Sequence, residues 1–275
     1  MDIQIEDLSY MYPGGLLALR GVSLGIHGGE TVAIIGQNGA GKTTLVKHFN
    51  GLLKPASGRV MVGDWDTRHQ PVSRLAARVG YVFQNPDDQL FKPTVWAELI
   101  FGPKNLGWEM DRREAHAREA LAAVGLGDKA SLHPYDLSAS QRKNVALAAV
   151  LAMDTPVIVL DEPTTGQDSS GVERIGQIVD QLKKQGKTVI TITHDIDFCA
   201  EYFERVVVMA AGQVLLEGPA REVLSQAERL AQTDVEPPQI MRLAARLGME
   251  RMPLTVEEFV AFQRSKGPSF PIVSQ

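Results

Sequence analysis

The chain has 275 residues, 44% of them hydrophobic and 22% charged, enough apolar material for one large domain or a large domain with a small appendage. A formal net charge of −5 argues against broad nucleic-acid binding, though not against a local basic patch. One cysteine, Cys199, excludes an internal disulfide and fits a reducing compartment.

Residues 1–7 are acidic and alternating, unlike a signal peptide. Ile3 and Ile5 alternate with polar residues, as do Val22, Leu24 and Ile26, so residues 1–35 read as β. An aromatic-tipped turn, residues 10–15, lies between them, and Gly28-Gly29 turns into an apolar run at 31–35. That run precedes Gly36-Gln37-Asn38-Gly39-Ala40-Gly41-Lys42-Thr43-Thr44, and a helical pattern (Leu45, Val46, Phe49) follows. Strand, G-x-x-x-x-G-K-[ST] and helix together make a phosphate-binding loop. Glycines let successive N–H groups point inward as an anion nest, and the helix adds its N-terminal partial charge. Lys42 can reach the outer phosphates, and the Thr43 hydroxyl can ligate magnesium. The chain is expected to bind a nucleoside triphosphate.

Short strands are expected at 59–62 and 79–83, the latter ending at Gln84. From about 85 the pattern turns helical, with loops rich in Gly and Pro. Asp111-x-x-Glu114 resembles a capping box opening a helix with Ala117, Leu121 and Val124 on one face. Ser138 and Ser140 can each cap the Ala-rich helix that runs to about Met153. Its stretch 145–153 is the longest apolar run and is far too short to span a membrane, so any membrane role passes through a partner. Residues 157–160 are apolar at every position, as in a central parallel strand. A helix striped by Val172, Ile175, Ile178, Val179 and Leu182, a strand at 187–193, a short helix after His194 and a strand pair at 206–209 and 214–216 complete an α/β pattern. From Pro219 the strands cease. Pro237-Pro238 marks a joint, Ile240, Leu243 and Leu247 stripe one helix, and Thr255-x-x-Glu258 can cap another. This tail carries no recognisable chemistry.

Asp161 and Glu162 end the apolar strand. A carboxylate there suits a magnesium ion bridging β- and γ-phosphates, the role assigned to Asp161. Glu162 is placed to orient or deprotonate an attacking water. His194, ending the next strand, can bond the γ-phosphate or that water. Gln84 offers a neutral oxygen to magnesium or is an ordinary polar strand end. Tyr12 can stack on a base or simply anchor its turn.

In this order the pieces resemble the nucleotide-binding subunit of ABC transporters over roughly residues 1–220. Tyr12 matches the adenine-stacking aromatic, 36–44 Walker A, Gln84 the Q-loop, 157–162 Walker B, Asp168 the D-loop aspartate and His194 the switch histidine. Residues 137–141, Leu-Ser-Ala-Ser-Gln, fall where the family has LSGGQ. Within the family, residues 82–91 and 101–107 look like the ATPase of energy-coupling factor (ECF) vitamin and metal importers.

The resemblance implies an α/β P-loop core with a mainly parallel sheet, an N-terminal antiparallel part, a helical subdomain inserted at about 85–150 and a helical extension at 221–275. It implies ATP and Mg2+ as ligands, and a head-to-tail pairing with a second ATPase subunit, identical or a paralogue. Ser138 and Gln141 would then act on the partner's nucleotide. A transmembrane coupling protein would dock near Leu90 and Phe91, with a separate membrane component binding the substrate, on the cytoplasmic face of the cell membrane. No nucleic acid is implied. Ala139 and Ser140 replace both signature glycines, and Gln167 stands where leucine is usual. A Cβ there can crowd the phosphate or shift the available φ, so the site these residues complete is expected to turn over slowly. The competing readings are a soluble ABC ATPase of DNA repair or translation, and a low-turnover nucleotide sensor. The first lacks its usual coiled-coil insertion or second cassette here, and the altered signature is the only support for the second.

Overall fold

Burial on both faces is what the β-branched runs of this chain are built for, and it decides the architecture. The computed structural model describes residues 1–249 and 251–266. A hairpin of β1 (Ile3–Met11) and β2 (Leu17–Ile26) leads into β3 (Thr31–Ile35) and the short helix α1 (Lys42–Lys47). Strands β4 (Ser57–Val62) and β5 (Trp65–Asp66), the single turn α2 (Val72–Leu75) and β6 (Val79–Val82) follow. Helices α3 (Val95–Asn105), α4 (Met110–Ala123) and α5 (Ala139–Leu151) intervene before β7 (Val157–Asp161). Then come α6 (Ser169–Lys184), β8 (Thr188–Ile192), α7 (Ile196–Tyr202), β9 (Arg205–Ala210) and β10 (Gln213–Pro219). Helices α8 (Ala220–Leu224), α9 (Ala227–Leu230), α10 (Gln239–Arg246) and α11 (Val256–Lys266) close the described part.

Two sheets form. One is antiparallel, in the order β2-β1-β4-β5; the other has the order β10-β9-β3-β8-β7-β6. The pairs from β9 through β6 are parallel, and only β10 runs antiparallel at the edge. Ala211 (φ 47°) and Gly212 (φ 80°) make the β9–β10 turn, both left-handed as a two-residue hairpin of primed type requires. Strand alternation sends side chains of β7 into two cores: Ile158 and Leu160 pack with α3 to α6, while Val157 and Val159 pack with Phe49 and the antiparallel sheet. This is the expected α/β P-loop layout, with the carboxyl ends of the adjacent strands β3, β8, β7 and β6 on one rim.

Three local expectations are corrected. Helix α4 starts two residues before the supposed capping box: Glu109 is its N-cap, with no side-chain cap bond. Packing of Arg112 and His116 on the Trp108 ring, at 3.7 Å and 5.0 Å, holds that first turn instead. Glu114 pairs with Arg118 on the surface. At α5 only Ser138 caps, in a complete box with Gln141, and Ser140 is the second helical residue. In α10 the buried face is Met241 and Ala244 rather than the Ile240/Leu243/Leu247 stripe, and Leu243 is 44% exposed. The buried Pro238 sets that phase as N-cap, turning Met241 into the main core. The cap at Thr255 is present, accepting from the Glu258 N–H at 3.2 Å. The Glu258 carboxylate in turn takes both Arg221 N–H bonds from α8, at 2.8 and 2.9 Å. Among the described residues, no helix is long and apolar enough to cross a membrane.

Leu99 of α3 is fully buried in the core cluster that also holds Ile158 and Leu160. Leu99→Ala is therefore expected to remove about 3 kcal/mol of stability. Urea unfolding should show a lower midpoint and a single transition, because the helical layer and the sheet share one core.

Candidate nucleotide site

The loop after β3 has the shape of an anion nest. Gly36 sits at φ 140°, where an added Cβ would collide with the Met209 carbonyl oxygen. Gly39, at φ 80°, has nothing within 4 Å of its would-be Cβ, so that part of the loop is open to a ligand. Asn38 and Gly39 are exposed and Ala40 is buried. Lys42 is buried, and its Nζ donates to the carbonyls of Gly36 at 2.6 Å and Gln37 at 3.0 Å, which draws the loop closed. Burial pushes its pKa down, while Glu162 and then Asp161 oppose the shift. Tyr12 and Thr44 share a hydroxyl–hydroxyl bond of 3.1 Å, and the Tyr12 ring is edge-on to Tyr10 at 5.0 Å. A cavity of about 280 Å³ runs from Tyr12 along residues 38–44 to Gln84 and Glu162.

Asp161 ends β7 almost fully buried. Tyr81 OH donates to its Oδ2 at 2.7 Å, and Thr43 Oγ1 lies 3.4 Å from Oδ1. Desolvation pushes this carboxyl's pKa up, against the lowering pull of the Tyr81 and Thr43 bonds and of Lys47 and Lys42. A buried carboxylate with that much unmet solvation favours a nearby cation. The hydroxyl of Thr43, the carboxylate of Asp161 and the amide oxygen of Gln84 are hard oxygen donors, of the type magnesium takes alongside phosphate and water. They fit such an ion. Sequence reasoning missed Tyr81; the available signal was a tyrosine in an otherwise apolar strand, whose buried hydroxyl must find a partner.

Glu162 adopts φ 52°, and its N–H bonds the Ile192 carbonyl at 2.8 Å. The turn lifts its carboxylate toward the neighbouring strand, where His194 Nδ1 meets Oε2 at 2.8 Å. Thr165 Oγ1 approaches the same oxygen at 3.4 Å. His194 is 70% exposed in its side chain and Glu162 only 10%, so an exposed imidazole covers a buried carboxylate. Lys143 Nζ, from α5, donates to the carbonyls of Glu162 at 3.2 Å and Thr165 at 2.7 Å. A second cavity, of about 900 Å³, opens beside Gly36, Gln84, Glu162 and His194. Residues 234–239 and Arg242 form its far wall, so the tail that had no recognisable chemistry borders the site.

Ser138 and Gln141 stand at the exposed start of α5, bonded to each other through backbone and side chain at 3.1 and 3.2 Å. Neither Ala139 nor Ser140 has positive φ. The helix start therefore does not require glycine for its conformation, and the expected φ conflict does not arise. Asp168 caps α6, accepting from Gly171 N at 2.7 Å. The segment after Gln84 is strapped to α5 by Arg142 Nε on Asp87 at 3.1 Å and by Gln89 Nε2 on the Ala146 carbonyl at 2.9 Å. Leu90 is 3% exposed and Phe91 61%. The expectation that both lie at an interface is thus corrected for Leu90, which alternation along the segment turns into the core. Buried Glu98 accepts the N–H groups of Phe91 and Lys92, and Phe91 meets Phe101 edge-on at 5.0 Å beneath the Lys92 ammonium.

A phosphate nest, a hydroxyl–carboxylate pair and a strand-end glutamate on one rim define a P-loop nucleoside triphosphatase. The ABC transporter family profile matches residues 19–165. The EcfA energy-coupling factor transporter ATP-binding protein of Methanothermobacter thermautotrophicus is 42% identical over 262 residues, 93% of this chain and 84% of that one. An ABC transporter ATP-binding relative from Caldanaerobacter subterraneus is 42% identical over 259 residues, and the chain spans 45% of its length. The solved structure of cbiO1 from Clostridium perfringens, described as part of the ABC transporter complex cbiONQ, superposes with a TM-score of 0.74 at 36% identity. That match covers 90% of this chain and 98% of that one. The chain belongs to the ABC transporter family of ATPases, and its likeness within the family extends to energy-coupling factor members.

Tyr81→Phe should leave the fold intact and weaken magnesium-dependent ATP binding about tenfold, the scale of one hydrogen bond to a charged group. Nucleotide titration with and without a chelator measures it.

Proposed function

We propose that the chain is the ATP-hydrolysing motor subunit of an energy-coupling factor importer. The observation that carries this is the Glu162–His194 pair, held at 2.8 Å on the rim that also bears the phosphate loop. In this reading the 36–44 nest and Lys42 hold the β- and γ-phosphates, and Thr44 helps close the loop over them. Tyr12 stacks on the base. Thr43, Asp161 and Gln84 would hold magnesium, which would supply positive charge against the charge developing on the phosphate. Glu162 orients and deprotonates the attacking water. His194 fixes the Glu162 carboxylate and bonds the γ-phosphate side of that water.

His194 is exposed, as are Ser138 and Ala139, and an outward-facing site gains its missing donors from a second subunit. Two ATPase chains closing head to tail would place Ser138 and Gln141 of one on the nucleotide of the other. Within the box the Ser138 hydroxyl oxygen accepts from Gln141 N, so its own proton remains to donate. Phe91, with Phe101 and Lys92, is the patch proposed to dock a transmembrane coupling protein. A separate membrane component would bind the vitamin or metal ion. The chain would thus sit peripherally on the cytoplasmic face of the membrane. The division into a nucleotide-binding unit at 1–220, with helices inserted at about 85–150, and an extension at 221–275 belongs to the same proposal.

Glu162→Gln is expected to lower the ATPase rate of the assembled complex at least about 100-fold while ATP binding persists. Phosphate release and nucleotide titration on the same preparation check both halves; unchanged turnover would remove the catalytic assignment. Phe91→Asp is expected to cut recovery of the membrane partner more than about tenfold, as for an aromatic anchor, with ATP affinity unchanged. Co-purification in mild detergent reads it, and undiminished recovery would place the docking surface elsewhere.

A further inference from the structure

Two departures from the family pattern, Ser140 for glycine and Gln167 for leucine, lie against each other. Ser140 Oγ donates to Gln167 Oε1 at 2.6 Å. Gln167 Nε2 donates back to the Ser140 carbonyl at 3.4 Å and to Asn144 Oδ1 at 3.3 Å. Asn144 is buried on α5. The Gln167 side chain lies along α6 where Gly171 leaves room, since a Cβ at Gly171 would come within 2.7 Å of Gln167 Oε1. Glycine at 140 has no hydroxyl to offer, and leucine at 167 would leave Asn144 and Ser140 facing carbon. An abandoned buried polar group is destabilising, so each departure makes sense only with the other.

We propose that Gln167 is a positioning residue of the shared site: through Ser140 and Asn144 it fixes the first turn of α5, the element that meets the second subunit's nucleotide. The proposal rests on the head-to-tail reading above. Gln167 precedes Asp168, the cap of α6, and Lys143 ties the same α5 turn to the Glu162 and Thr165 carbonyls. The chain's own catalytic turn and its contribution to the neighbouring site are thereby one body. On this account Ala139-Ser140 is a signature re-supported from the side, and Ser140→Gly alone slows the complex where a simple loss of glycine would predict that it speeds it.

The test is a compensation cycle in the assembled complex with Ser140→Gly, Gln167→Leu and the two combined. Each single substitution should lower kcat about fivefold, the scale of one hydrogen bond, with KM for ATP within about twofold. The combination should lose clearly less than the product of the singles, the remainder being due to Asn144, which stays without its Gln167 partner. ATP affinity of each isolated subunit should stay unchanged, and any fall in melting temperature should not scale with the loss in kcat, which separates positioning from a general structural role. Single variants at the unsubstituted rate, a faster Ser140→Gly, or a combined loss equal to the product of the singles would overturn the proposal. So would losses that follow melting temperature or KM instead of kcat. If the unsubstituted complex shows no turnover that Glu162→Gln removes, the functional reading falls first, and this proposal with it.

Discussion

Everything at the site follows from one expensive placement: a carboxylate at the end of a strand that has no polar side chain ahead of it. Residues 157–160 are buried on both faces, so Asp161 is delivered to the interior with little water to solvate it. A buried charge survives only with partners. Tyr81 from β6 and Thr43 at the start of α1 supply hydrogen bonds, and Lys42 and Lys47 supply opposite charge. Each partner comes from an element bordering β7 or facing its end. The parallel order of the strands is what brings all of them to the same rim.

The helical layer is bound into this arrangement at several points. Gln89 joins the Phe83 N–H, at the end of β6, to the Ala146 carbonyl of α5. Arg142 on Asp87 makes a second strap, and Lys143 reaches from the next residue to the Glu162 turn. The residues that would sense magnesium and the residues that would face a second subunit are consequently linked through the first turns of a single helix. The exposed Phe91 projects from the same strapped segment, with its backbone pinned by Glu98.

What the sequence made legible was local and periodic. The phosphate loop, the apolar strand with its two acids, the strand-end histidine and the caps at Ser138 and Thr255 depend on residues a few positions apart, and the structure places each as expected. The contacts that could not be read depend on neighbours remote in sequence. Tyr81 reaches Asp161 across 80 positions, and Ser140 reaches Gln167 across 27. Helix phase was equally out of reach for α10, where Met241 and Ala244 are as apolar as the Ile240/Leu243/Leu247 stripe and only the burial of Met241 in the main core selects between them. Leu90 and Phe91 are alike in chemistry; the turn of the chain decides which one is buried.

The backbone of Glu162 carries a thermodynamic consequence of its own. A non-glycine residue at φ 52° is held about 1–2 kcal/mol above relaxed backbone, at the residue whose carboxylate is proposed to activate the attacking water. Position 162 is thus a point where selection for a durable fold and selection for activity pull in opposite directions. A glycine there would relax the turn while discarding the carboxylate. With glutamate at this turn the chain gives up part of its folding free energy to hold one carboxylate against His194.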